Sequence, residues 1–386
     1  MNKKNPLIKR LFAPPKQSFF LFGPRGTGKS TWMKALFPEA LYLNLLLSAI
    51  REKFRAYPDE LIKEVAAIQK PGVVIIDEVQ KVPDLLAVVH TLIEEKLGLQ
   101  FILTGSSARK LKRGGADLLG GRALIKRLDP FMAAELGNRF SLEKALKIGM
   151  LPLVWETDEP EEVLSTYTSV YIDEEVQAEA LVRNVGQFAR FIHVMSFSHG
   201  QILNMTNIAR ESSVKRHTVD NFISILEDLL LSVRLDVFTH RAQRELSQHP
   251  KFYFFDTGIF RAIRKMGPSD TNDELEGPAL EGLVFQHLRA WIHYSKGRHE
   301  LYFWRTKAGV EVDFILYGEL GFWAVEVKHS RTVSPEDVRG LQHFINDYPN
   351  AKPVLLYRGV RMEYKGISCL PVEQFLQHLQ PNESLF

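Results

Sequence analysis

The sequence predicts an α/β fold in several parts. A parallel sheet covered by helices comes first, then a helical stretch, a helix–turn–helix with a β pair, and a second α/β region. Three observations predict this. Over the first 130 residues short β runs alternate with helical patterns, which implies a parallel sheet with both faces covered. In the middle, two apolar stripes at helical spacing flank a Ser212-Ser213 turn. From Phe252 onward, runs with period-two alternation return.

The elements follow in order. Ser18 to Phe22 reads as a strand, Val73 to Ile76 as a buried one, Phe101 to Leu103 as a third and Ala123 to Leu128 as a fourth. Lys29 to Phe37, Asp59 to Gln69 and Pro83 to Leu97 read as helices between them. Asp129-Pro130 ends this block, and residues 131 to about 180 read as helical with a break at Met150-Leu151-Pro152. The loop around Gly267 to Gly277 reads as a linker, because it is rich in Gly, Pro, Ser, Asp and Asn. The last third reads helix, three strands, helix, strand. The expected domains are 1–130, 131–184, 185–250 and 251–386.

Composition bounds the class. The chain has 386 residues, with 45% hydrophobic and 25% charged, which excludes a disordered or collagen-like chain. A net charge of +3 permits a nucleic-acid partner without arguing for one, so any basic surface must be local. The single cysteine, Cys369, excludes an intrachain disulfide and a cysteine-based zinc site, and it reads as a small apolar filler. Leu41 to Ile50 is too short to span a bilayer and contains Asn44 and Ser48. The N-terminal residues lack the apolar stretch of a signal peptide. A reducing, cytoplasmic setting with no membrane partner is expected. His193, His199, His217, His240 and His249 show no metal-ligand spacing.

Gly23-Pro24-Arg25-Gly26-Thr27-Gly28-Lys29-Ser30 matches G-x-x-x-x-G-K-[ST], between an expected strand and an expected helix. Glycines are needed there because backbone N–H groups wrap phosphates without Cβ obstruction, and the helix N-terminus adds positive charge. Lys29 would reach the β- and γ-phosphates of ATP, Ser30 would hold Mg²⁺, and Thr31 closes the run. Val73-Val74-Ile75-Ile76-Asp77-Glu78 is the partner motif, an apolar strand ending in two acids. Asp77 is placed for Mg²⁺, and Glu78 for polarising the attacking water. Thr104, at the end of the third strand, either senses the γ-phosphate or belongs to a simple turn.

These motifs, in this order and spacing, resemble the AAA+ ATPases. The wording of the phosphate loop, Asp77-Glu78-Val79-Gln80, Leu103-Thr104-Gly105-Ser106-Ser107 and Gly121-Arg122 is similar to a bacterial and archaeal branch. That branch joins an AAA+ core to a C-terminal domain of unknown function with a nuclease-like fold. The resemblance covers nearly the whole chain. It implies that Arg122, after a helical stretch from Ser107 to Leu119, completes a neighbouring subunit's site, with Arg113 as the alternative. A working finger in trans would require a homo-oligomer, commonly a hexameric ring in such proteins.

Two further resemblances complete the expected architecture of an AAA+ core with helical lid, winged helix and C-terminal nuclease-like domain. Met205, Ile208 and Ala209, then Val219, Phe222, Ile223 and Leu226, followed by the alternating Leu231 to Phe238, resemble a winged helix-turn-helix. Lys215, Arg216, His217 and Asn221 would lie at the start and exposed side of its second helix, where such motifs meet DNA. Such modules also serve as packing units. Asp313, on an alternating strand, and Glu326-Val327-Lys328, on the next, would bring two carboxylates and a lysine to one sheet edge. This segment resembles the PD-(D/E)XK nuclease-like fold. The resemblance implies that Glu281 on the preceding helix is a further acid, that Glu281, Asp313 and Glu326 bind Mg²⁺, and that Lys328 neutralises charge or orients water.

The resulting expectation is Mg²⁺-dependent ATP hydrolysis coupled to DNA binding, remodelling or cleavage. The rival is a slow nucleotide-operated switch whose C-terminal domain binds a partner without cutting.

Overall fold

The computed structural model describes residues 7–105, 119–172, 184–240, 245–265 and 273–385, with positions 176, 242, 267 and 271. The chain forms two compact units. One is Phe12–Asp129 with Asp228–Leu230. The other takes the described residues of Pro130–Glu227 and Leu231–Phe386, with residues 7–11.

The first unit contains β1 (Phe19–Phe22), α1 (Lys29–Leu36), β2 (Leu41–Asn44), α2 (Ser48–Ala56), α3 (Glu60–Ala66), β3 (Gly72–Asp77), α4 (Leu85–Glu94), β4 (Leu99–Gly105) and β5 (Leu124–Arg127). All strand pairs are parallel, in the order β2-β3-β4-β1-β5. The inner strands are continuous apolar runs because helices cover both faces. Phe20, Val74, Ile76, Phe101 and Leu103 meet Leu85 and Val89 of α4 in the core. At the edge, β5 carries Lys126 and Arg127, charges that discourage further pairing.

Two elements of this unit differ from expectation. β2 and α2 fill a stretch in which no element was expected. The reason is physical: β2 is only half-buried, and α2 buries Phe54 alone, so neither leaves a stripe of apolar residues. The helix expected over Ser107 to Leu119, with Ser106 and Arg113, lies outside the described residues but for Leu119.

The second unit begins with α5 (Ala133–Leu136), α6 (Leu142–Ile148), α7 (Pro152–Trp155) and α8 (Pro160–Thr166), followed by a π-helical turn over Tyr167–Tyr171. Gly149, at φ 74°, stops α6, and Pro152 sits in the first turn of α7. Then come α9 (Val185–Ser196), β6 (Gln201–Ile202), α10 (Met205–Glu211), α11 (Arg216–Asp228), β7 (Ser232–Leu235) and β8 (Lys251–Phe254). α9 and α11 meet through Phe188, Phe191 and Phe222, with the first two ring centroids 5.1 and 5.2 Å from Phe222. β8 pairs antiparallel with both β6 and β7, so this small sheet takes a strand from beyond residue 250.

After α12 (Thr257–Ile263) the chain runs through α13 (Asp273–Tyr294), β9 (His299–Arg305), β10 (Glu311–Gly318), β11 (Gly321–Val327), α14 (Arg339–Asp347), β12 (Lys352–Tyr357), β13 (Met362–Tyr364), β14 (Ile367–Pro371) and α15 (Val372–His378). Six strands form one mixed sheet, ordered β13-β14-β12-β11-β10-β9. Its core includes Trp304, Val312, Ala324, Leu341, Phe344 and Leu355, and Cys369 is buried within it. Three strands follow α14 where one was expected.

The loop expected up to Gly277 is shorter, because α13 already begins at Asp273. Glu274-Leu275-Glu276 are good helix formers, and the Thr271 N–H bonds Glu274 Oε2 at 3.0 Å. Pro278 sits near this end, where it removes a single intrahelical bond.

Candidate functional site

The phosphate loop lies at the carboxyl end of β1, between α1 and the ends of β3 and β4. Gly26 and Gly28 have φ of 85° and 84°, a region that glycine enters without strain. Gly23 is required for space, since a Cβ there would stand 2.4 Å from the Leu128 carbonyl oxygen. Lys29 is buried, and its Nζ donates to the carbonyls of Gly23 at 2.5 Å and Pro24 at 3.1 Å. The Thr27 hydroxyl donates to the same Pro24 oxygen at 2.9 Å. Arg25 and Thr31 are exposed.

Asp77 is the hub of the site. Its Oδ2 accepts from Ser30 Oγ at 2.8 Å and from the Tyr42 hydroxyl, and its Oδ1 accepts from Thr104 Oγ1. Burial, and then the hydrogen bond to Asp77, push the Tyr42 hydroxyl well above its ordinary pKa, so it stays a donor. Glu78 sits at φ 63°, a left-handed conformation that costs a non-glycine residue about 1–3 kcal/mol. Thr104 holds it there, because its hydroxyl oxygen accepts the Glu78 N–H at 3.2 Å. Gln80 Nε2 donates to Glu78 Oε2 at 2.5 Å. Thr104 therefore bonds both acids of the motif. Tyr42 was missed, because a lone tyrosine in a half-buried strand carries no motif; its signal is the register that pairs Leu43 with Ile76 and Asn44 with Asp77.

The residues fit a nucleotide with Mg²⁺. The glycine cradle leaves room for phosphate, and a hydroxyl beside a carboxylate is the oxygen donor set that Mg²⁺ prefers. Arg122 lies just before β5, where its guanidinium pairs with Glu94 of the same chain at the surface and bonds the Gly120 carbonyl at 3.2 Å. That pairing holds the Glu94 carboxyl below its usual range.

A second constellation lies in the other unit. Asp313 of β10 and Glu326 of β11 face each other across the hairpin, next to the pair Phe314 and Val325. Glu281 of α13 joins them, and so do three residues that sequence reasoning missed: Lys251 and Tyr253 of β8, and Glu311 of β10. Lys251 Nζ lies 3.0 Å from Glu281 Oε1, 2.5 Å from Glu311 Oε1 and 3.2 Å from Asp313 Oδ1. The lysine side chain is only 2% exposed. Burial pulls its ammonium toward a lower pKa, but the carboxylates around it, Glu281 foremost, outweigh that and hold it well above the ordinary value. The Tyr253 hydroxyl donates to Glu281 Oε1 at 2.5 Å, and its ring stacks on Phe285 at 4.0 Å. A hint was available, since Glu311 and Asp313, like Lys251 and Tyr253, are two apart on a strand and share a face.

Both oxygens of Asp313, Glu326 and Glu311 are engaged. Asp313 Oδ2 accepts the Val327 N–H at 3.0 Å, and Glu326 Oε2 accepts the Asp313 N–H at 3.3 Å. Glu326 Oε1 meets Lys328 Nζ at 2.5 Å, and Glu311 Oε2 meets Arg305 Nη1 at 2.6 Å. Burial raises the Glu281 carboxyl to about 7 and the Glu326 carboxyl to about 8, with the charge of Asp313 adding to both. In this arrangement an ammonium holds the place between the expected ligands Glu281 and Asp313, and protein donors engage both oxygens of Asp313 and of Glu326. Among the described residues no group of three His, Cys, Asp or Glu is arranged to hold a metal ion. Close packing fixes the helix: a Cβ on Gly282 would stand 2.3 Å from His199 Nε2.

A third feature is cationic. Lys215, Arg216, His217 and Asn221, at the start and along one side of α11, are all exposed. Beside them runs a groove of about 480 Å³ lined by Arg216, His217, Arg234 and His249, with Asp220 at its edge. Arg234 is held by Glu227 at 2.7 Å and Asp220 at 3.2 Å. Among the described residues no helix is long and apolar enough to cross a membrane.

Comparisons with known proteins divide the chain in three. Residues 15–137 match the AAA domain family. Residues 139–270 match a domain of unknown function (DUF8612), and residues 276–375 another (DUF4143). The N-terminal parallel sheet with its phosphate loop is consistent with a P-loop AAA domain, which supports an AAA-type ATPase, and a separate C-terminal sheet domain follows. Uncharacterized proteins of Mycobacterium tuberculosis and Mycobacterium bovis are each 24% identical over 296 residues, 75% of this chain. The match spans 65% of the length of these relatives. A crystal structure of a Vibrio cholerae protein aligns over 94% of this chain and 96% of its own, at 10% identity and a TM-score of 0.22, too low to carry an argument.

Proposed function

We propose that this chain is a Mg²⁺-dependent ATPase whose nucleotide cycle controls engagement of DNA by residues 185–250, folded as a winged helix. The observation that carries the DNA half is the exposed cationic start of α11, where Lys215, Arg216 and His217 stand beside Asn221. The ATPase half is supported by the AAA domain and by the convergence of Ser30 and Thr104 on Asp77.

Each residue of the first site has a task in this reading. The loop N–H groups and Lys29 bind the phosphates, and Lys29 exchanges its carbonyl partners Gly23 and Pro24 for phosphate oxygens. Ser30 and Asp77 hold Mg²⁺, which neutralises phosphate charge when bound. Glu78 orients the attacking water after giving up its bond to Gln80. Arg122 reaches a neighbouring copy in a homo-oligomeric ring once it leaves Glu94, at little cost because exposed ion pairs are weak.

The test is steady-state ATP hydrolysis with Mg²⁺, without and with single-stranded, duplex and branched DNA, using Lys29→Ala as the blank. Stimulation by one DNA form, lost on Lys215→Ala with Arg216→Ala, supports the reading. Turnover indifferent to every DNA contradicts its DNA half.

A second reading is a nucleotide-operated switch whose C-terminal domain binds a partner without cutting. It is favoured by the Gln80–Glu78 contact, because an amide donating to one carboxylate oxygen weakens Glu78 as a base until that bond is released. Slow turnover with tight nucleotide retention would select it.

A further inference from the structure

We propose that Lys251 is the resident cation of the Glu281–Glu311–Asp313 cluster, so that the C-terminal domain carries a site filled by a cation of its own chain and not a metal centre. Three carboxylate oxygens from two elements point at one ammonium, at 3.0, 2.5 and 3.2 Å. A divalent ion in that place would have to expel a lysine whose side chain is nearly inaccessible, from a strand buried along its whole length. β8 is paired on both sides, with β6 and with β7, which fixes the backbone position from which Lys251 reaches the cluster. Its Nζ lies over the Phe303 ring, 5.6 Å from the centroid.

The second layer points the same way. Lys328 closes on Glu326, the acid that Lys251 does not pair with, and Arg305 closes on the second oxygen of Glu311. The Tyr253 hydroxyl adds a further donor to Glu281. The domain keeps the sheet edge and the carboxylates, while the charge that would attract Mg²⁺ is spent on side chains of the same chain. Its role is then to tie β8, α13 and the β10–β11 hairpin into one body that binds and does not cleave.

The test uses the full chain without nucleotide and reads Mn²⁺ binding by electron paramagnetic resonance. Wild type and Asp313→Asn are expected to give the same isotherm, because no Mn²⁺ sits on Asp313. Lys251→Gln is expected to gain one Mn²⁺ site, lost again when Asp313→Asn is added. An Asp313-dependent Mn²⁺ site in the wild type would overturn the proposal, and so would a folded Lys251→Gln chain that gains no site. If Lys251→Gln does not fold, the first comparison decides alone. Leaving out nucleotide keeps the result separate from the ATPase reading.

Discussion

Asp77 and Asp313 are both buried aspartates on strands, each beside a glutamate. Their partners differ in kind. Asp77 is surrounded by hydroxyls, those of Ser30, Tyr42 and Thr104, which are neutral and leave its charge in place. Asp313 faces the Lys251 ammonium, and its neighbours Glu326 and Glu311 face Lys328 and Arg305. Neutral donors orient a carboxylate and keep it attractive to a cation. Charged donors satisfy it and close the site. The difference teaches that acids in the right strand positions do not define a metal site until their counter-charges are known.

The largest effect should separate the two lysines by function. Lys29→Ala should lower ATP turnover by about a hundredfold or more, the usual loss when a preorganised charge on the reacting phosphate is removed. Lys328→Ala should leave basal turnover within about twofold, since it serves only the second cluster. Equal losses in a coupled ATPase assay would break the comparison.

Stability should turn on a third lysine, Lys251. Lys251→Met leaves buried carboxylates without their cation and should cost about 3–5 kcal/mol in urea unfolding. Adding Glu281→Gln should restore part of that. An unchanged unfolding midpoint would mean that Lys251 does not neutralise the cluster.

A smaller change sharpens the account of Asp77. Tyr42→Phe removes one hydroxyl and should cost about 1 kcal/mol in the positioning of that carboxylate. The readout is the Mg²⁺ concentration for half-maximal ATPase activity, which should rise while turnover at saturating Mg²⁺ changes little. A purely structural tyrosine would lower the unfolding midpoint and leave the Mg²⁺ dependence alone.

The mildest prediction concerns pH. His287 takes the Ala133 N–H on Nε2 at 2.9 Å, with Nδ1 2.8 Å from the Leu283 carbonyl, so the ring is neutral. Burial lowers its pKa to about 4, and lowers that of His199 to about 3. Between those values and the ordinary 6.5 the unfolded chain binds more protons than the folded one. The stability these rings contribute is therefore present above pH 6.5 and lost as pH falls toward 4. Thermal unfolding across that range should show a fall in Tm, and His287→Gln should flatten it.

Much of this was legible in the sequence, and the rest was hidden for physical reasons. The phosphate loop and the Asp77-Glu78 strand are local motifs, in which the chemistry dictates contiguous residues. Asp313 and Glu326 could be brought together because a short hairpin fixes its own register. Lys251 could not, since it arrives from a strand that belongs to a different sheet and no local pattern links it to β10. β2 and α2 were obscured by their shallow burial, and Tyr42 with them. The start of α13 was misplaced because Pro278 and Gly277 signal a loop in sequence, while Glu274 and Leu275 sustain the helix ahead of them.

The most direct test of the contrast counts Mn²⁺ sites in the full chain with a non-hydrolysable ATP analogue present, using wild type, Asp77→Asn and Asp313→Asn. The account predicts one nucleotide-dependent site, lost in Asp77→Asn and kept in Asp313→Asn. A site that disappears in Asp313→Asn would show that the second cluster holds metal after all, and the contrast between the two aspartates would fall.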